Sequence, residues 1–146
     1  MFNPVKAVRN VLLRKGWVQP KYTLLIANER TRSGRVYTDE AIANALKDAP
    51  DGSGKIIPCY LGGNDTKMTS LCGMVSLSRE GDKVVGKMAI NDTTYGKAVK
   101  ELITQNSPKE YHLEMEGYGE IDEDGTVAQY EPTHANFMWG PDGIIR

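Results

Sequence analysis

No part of this sequence narrows the possible folds more than Tyr111-His112-Leu113-Glu114-Met115-Glu116-Gly117-Tyr118-Gly119. Side chains on a strand alternate between faces, so Tyr111, Leu113 and Met115 share one side and His112, Glu114 and Glu116 the other. A strand with one apolar face has to lie against a core, and its register is specified by that face. The opposite face carries an imidazole flanked by two carboxylates. It reads either as a catalytic row or as a solvated strand surface.

Other runs supply neighbours for that strand. Tyr22 to Ala27 is short, apolar and rich in β-favouring residues, as is Lys55 to Leu61, where Pro58 is expected at a sheet edge or a bulge. Leu71 to Arg79 and Lys83 to Ile90 form a hairpin through Glu80-Gly81-Asp82. The strand at Tyr111 turns at Glu123-Asp124-Gly125 and is answered by an extended segment from Thr126 to about Trp139.

Three helices are expected. Asn3 and Pro4 start the first and Gly16 stops it, with Val5, Val8, Val11 and Leu12 inward and Lys6, Arg9 and Arg14 outward. Thr38 caps the second, whose first turn holds Asp39 and Glu40 and whose inward stripe is Ile42, Ala45 and Leu46. Asp92 is expected to cap the third, running to about Thr104 with Tyr95, Ala98, Val99, Leu102 and Ile103 on one face. Ala49 to Gly54 and Gly62 to Asp65 read as loops.

At 146 residues the chain fits one domain, with no repeat or linker to divide it. A net charge of -1 names no partner, but the charge is unevenly spread. Residues 1–21 hold five basic side chains and no acid, which leaves about -6 for the remainder. The expected organisation is a basic amphipathic helix or arm over residues 1–20 and a single domain over 21–146. A helix of roughly 12 residues is marginal alone, so it docks on its own body or on a partner. Its apolar face argues for docking rather than nucleic-acid contact.

Two cysteines, Cys59 and Cys72, make neither a zinc motif nor a secreted disulfide framework, and a reducing compartment follows. The N-terminal stretch intersperses charge among its apolar residues, unlike a signal peptide or a membrane span. The expected location is inside a cell.

Site motifs are sparse. Glu120, Asp122, Asp124, Gly125 and Glu131 fall at positions 1, 3, 5, 6 and 12 of an EF-hand loop. Strand-like alternation before them and Pro132 after them favour an acidic hairpin turn, so no metal is expected. Gly62-Gly63-Asn64-Asp65 lacks the Lys-Ser/Thr of a phosphate loop, and no cofactor is expected. A Cys59 nucleophile paired with His112 or His134 would need the two strands to bring them together. Buried small hydrophobe is the commoner fate of such a cysteine.

The order of elements resembles the phage prohead proteases, capsid maturation enzymes related to herpesvirus assemblin. Asn28 to Tyr37 before a capped helix resembles that family's "NGRxY" stretch. The strand Lys55 to Leu61, the segment Cys72-Gly73-Met74-Val75 with its hairpin partner, the helix Asp92 to Thr104 and the strand Tyr111 to Gly119 follow in step, covering about residues 22–125. The resemblance implies an α+β fold, a compact mixed or antiparallel β-barrel with about three helices, and a serine protease. Its catalytic His would follow the second strand, and its Ser would lie on the later strand. Here the His position reads Gly62, Gly63 or Asn64, and the Ser slot falls on or near His112. Neither catalytic residue carries over, so no site residues are assigned.

The resulting expectation is a non-enzymatic phage structural protein of protease fold. It is a decoration, minor head or scaffold-like component, assembled in the host cytoplasm and present in the virion. Its expected partners are capsid or other head proteins, engaged through the N-terminal helix, or further copies of itself in a homo-oligomer, with neither nucleic acid nor membrane involved. A capsid maturation protease with a rearranged Cys59 and His112 or His134 site is one alternative. A phage protein that binds a host factor is the other.

Overall fold

The computed structural model describes residues 21–47, 55–62, 70–106 and 110–140. Its elements run β1 (Lys21–Ile26), β2 (Val36–Tyr37), α1 (Asp39–Ala45), β3 (Lys55–Leu61), β4 (Leu71–Glu80), β5 (Lys83–Ile90), α2 (Thr94–Gln105), β6 (Tyr111–Ile121) and β7 (Thr126–Trp139). The expected helix at residues 1–20 and most of both expected loops lie outside the described residues.

The strands form one mixed sheet. Its path is β1-β5-β4-β3-β7-β2, and β6 pairs with β7 off that path. Hairpins make β4–β5 and β6–β7 antiparallel, whereas β7 runs parallel to β3 at Cys59–Leu61 and to β2 at Val36–Tyr37. β1 and β6 therefore lie at the two ends of the sheet. Tyr22 of β1 meets Tyr111 of β6 edge to face at 6.3 Å, but no strand ladder joins them. The sheet curls into a half-barrel where a barrel was expected, because the pairing that would close it is not made among the described residues.

Inside the curl lie Leu24, Val75, Val84, Met88, Leu113 and Phe137, each at most 1% exposed. Burying a side chain of this size is worth about 1.5–3 kcal/mol, so this cluster supplies the main drive to fold. Helix α1 covers β7 with Ala41, Ile42 and Ala45, and α2 buries Val99 against β4 and β5.

Several expectations need correction. Two of the three expected helices occur among the described residues, and the third falls outside them. The cap of α2 is Thr93, whose Oγ1 accepts from the Gly96 amide at 3.2 Å, and Asp92 sits one residue too early. Thr38 does cap α1, accepting from Ala41 at 3.0 Å. Pro58 is not on an edge strand, since β3 lies between β4 and β7. It falls one residue before β3 begins to pair with β7 and beside a register shift at Cys59/Tyr60, positions where a missing donor costs little. No strand is expected from sequence between the run Tyr22 to Ala27 and α1, where β2 lies, because two residues are too few to leave a periodic signal.

Candidate functional site

The β6–β7 hairpin builds the polar face. Its tight end is held by Asp122, whose Oδ1 accepts from the amides of Asp124 and Thr126. The acidic residues offered as an EF-hand loop are thus a hairpin turn between two paired strands, with Glu120 opposite Gln129. A bond with the Asp122 carboxyl, followed by bonds from Thr126, holds the Asp124 carboxyl down at about 2.

From that turn the register runs Glu116 opposite His134, Glu114 opposite Asn136 and His112 opposite Met138. The inward residues Tyr111, Leu113 and Met115 are buried, as their alternation requires. The outward row is graded: His112 is buried at 8% exposure, Glu114 is partly covered, and Glu116 is more open.

His112 is clamped. Its Nδ1 lies 2.8 Å from the Gly140 carbonyl oxygen and its Nε2 3.0 Å from Glu114 Oε1. Both ring nitrogens thus face oxygen atoms, and neither is turned toward a hydroxyl that it could deprotonate. A ring held this way orients a carboxylate and the backbone at the end of β7.

His134 lies at a second constellation that sequence reading missed. Between Glu116–His134 and Gly117–Pro132 the register slips, leaving Thr133 as the extra residue of a β-bulge. Gly117 permits it: a Cβ there would lie 2.1 Å from the Glu131 carbonyl oxygen, so no larger residue fits. The bulge brings Thr133 Oγ1 to 3.0 Å from His134 Nδ1, and His134 Nε2 to 2.7 Å from Glu116 Oε2. The second contact is at ion-pair distance but misaligned for a hydrogen bond. Tyr60 covers the ring edge-on at 5.8 Å.

Hydroxyl, imidazole and carboxylate in line resemble a nucleophile, base and orienting acid. The proton inventory runs the other way. Thr133 Oγ1 donates its hydrogen to the Glu116 carbonyl at 3.1 Å, so His134 Nδ1 must donate to Thr133. Beside this group a cavity of about 420 Å³ opens, lined in part by Arg35, Glu114, Glu116, Tyr118, Thr133 and His134. The sequence held a signal for the bulge, a proline and a glycine at facing strand positions, but only pairing shows that they face.

Cys59 meets neither histidine. It pairs in register with Ala135, whose neighbours His134 and Asn136 point to the opposite face, and it is wholly buried. Its Sγ instead lies 3.7 Å from Cys72 Sγ. The bond with Cys72 and then burial push the Cys59 thiol well above its usual range, the reverse of what an activated nucleophile needs.

The end of β3 is also defined. The Gly62 amide bonds the Phe137 carbonyl at 3.0 Å, and its φ of 82° is a left-handed turn conformation that histidine adopts only under strain. Gly63 and Asn64 lie outside the described residues. On the same outer face Asn136 is 1% exposed with Oδ1 unpartnered among the described residues. No group of three or more metal-ligating side chains is assembled among the described residues, and no helix there is long and apolar enough to cross a membrane.

No protein-family model matches this chain, and no curated protein matches its sequence. A solved structure does match in fold: the bacteriophage T4 capsid assembly protease, gp21, superposes with a TM-score of 0.64. The match covers 84% of this chain and 81% of the T4 protein at 14% identity. The chain thus has a prohead-protease-like fold, an α+β architecture on a mixed half-barrel sheet.

Proposed function

We propose that this chain is a non-hydrolytic structural component of a phage head, a protease-fold protein that binds capsid or other head proteins. The observation carrying this reading is His112, on or near the strand position where the family resemblance expects the serine nucleophile. Its two nitrogens are taken up by the Gly140 carbonyl and Glu114, so neither is aimed at a hydroxyl as a catalytic base would be. The fold shared with a capsid assembly protease supports the association with phage heads. The basic segment 1–20, set against a body of -5, is the proposed attachment arm and the virion the proposed destination.

Co-expression with candidate capsid and scaffold proteins tests the reading. The chain should sediment with particles while every partner stays full length, and deleting residues 1–20 should release it from them. Site-specific cleavage of a partner would sink the proposal.

The alternative, a rearranged protease, rests on Thr133, His134 and Glu116 rather than on Cys59. It requires the Thr133 proton to move to His134 in place of the Glu116 carbonyl. Cleavage lost in both Thr133→Ala and His134→Ala would establish it.

A further inference from the structure

The two ends of a sheet are its vulnerable places, and natural proteins blunt them with short strands, lysine, proline or a covering element. Among the described residues, β6 from Gly117 onward has none of these protections. It is an end strand of eleven residues without Lys, Arg or Pro, and among the described residues it pairs only with β7. Its first half is sheltered where Tyr111 meets Tyr22. From Gly117 to Ile121 it is exposed, with Tyr118 at 77% and Ile121 at 48%.

Two cavities lie along this half of the strand and share Tyr118. The first is lined by Glu114, Glu116 and Tyr118 of β6 together with Arg35 and with Thr133 and His134 of β7. The second, about 480 Å³, adds Glu120 and Glu131. Together the linings hold four carboxylates, Glu114 facing His112, Glu116 facing His134, Glu131 paired with Lys55 at 3.2 Å, and Glu120, against the cations Arg35 and Lys47. An acidic edge of this kind repels a second copy of itself and suits a strand of opposite charge.

We infer that the free edge of β6 accepts an extended segment of a partner protein as an added strand, with basic side chains of that segment seated in the two cavities beside Tyr118. Main-chain hydrogen bonds to the edge supply affinity in this mode, and pockets for alternate side chains supply selectivity. Tyr118 offers an exposed ring against which a lysine or arginine stem packs. The chain's own basic segment is a poorer occupant, because its sequence carries helix start and stop signals, Asn3-Pro4 and Gly16, which an added strand does not need. The inference rests on the head-protein reading and names the chemistry of the partner segment.

The test uses the full chain and a fluorescein-labelled nine-residue peptide of alternating Thr and Val with Lys at two alternate central positions, followed by fluorescence anisotropy. Saturable binding is expected, weakening as salt is raised. Replacing both lysines by Glu, or N-methylating the amides along the pairing edge, should each cost about ten-fold or more, the size of a lost charged hydrogen bond. Glu116→Gln with Glu120→Gln should cost a similar factor, and bound peptide should slow amide exchange in residues 117–121. No saturable binding, or equal binding of the Glu or N-methyl peptide, overturns the inference. Full-length chain that binds only after residues 1–20 are deleted also overturns it, since its own arm would then hold the site. Peptide binding without any particle association sinks the head-protein reading alone, and particle association without peptide binding sinks this inference alone.

Discussion

Replacing His112 by Ser places a hydroxyl at the position where a prohead-protease resemblance expects one, and two outcomes follow from the geometry. The first is a stability loss. His112 is 8% exposed and makes two hydrogen bonds, at 2.8 Å to Gly140 and 3.0 Å to Glu114. Hydrogen bonds to charged groups contribute about 1.5–3 kcal/mol each when buried, and the Glu114 bond counts for less because its side chain is 30% exposed. Serine is too short to span both partners. The sum is about 2–4 kcal/mol, a fall in Tm of roughly 5–12 °C for a chain of this size, measurable by circular dichroism. The second outcome is the absence of hydrolysis, because Gly62 offers no base and His134 already donates toward Thr133. His112→Asn, which keeps one donor, should fall between wild type and His112→Ser. A His112→Ser protein within about 0.5 kcal/mol of wild type refutes the clamp. One that cleaves capsid or scaffold protein refutes the claim that the site lacks a base.

Gly117→Ala should destabilise the fold by more than about 2 kcal/mol in urea unfolding, because its Cβ would collide with the Glu131 backbone at the bulge that aligns Thr133 with His134. Phe137→Ala should cost about 3–5 kcal/mol, since that ring is 1% exposed and stacks on Tyr111 at 5.2 Å. Thr38→Ala removes the cap of α1 and should cost about 1 kcal/mol. Asp124, held down at about 2, contributes stability that is complete above the ordinary aspartate value of 3.8 and is lost as pH falls through about 2. Amide exchange at the β6–β7 turn should therefore quicken on acidification across that window in wild type and stay level in Asp124→Asn.

Local periodicity was enough to read most of the strands, the helix from Thr94 to Gln105 and the Asp122 to Gly125 turn, because each depends on a window of a few residues whose burial alternates with period 2 or 3.6. Tyr111, Leu113 and Met115 turned inward as that rule requires. What the window could not contain was strand order. Parallel pairing of β7 with β3 joins residues 135–137 to residues 59–61, and only that pairing shows Cys59 on the face away from His134. The bulge at Thr133 likewise exists only because Gly117 and Pro132 meet across two strands. Sequence alone put His112 on or near the slot where the resembling family carries a nucleophile. Tertiary structure decided what the ring does there, because its partners Gly140 and Glu114 come together only once β6 and β7 are zipped, and it decided that among the described residues β6 ends the sheet with no strand on its outer edge.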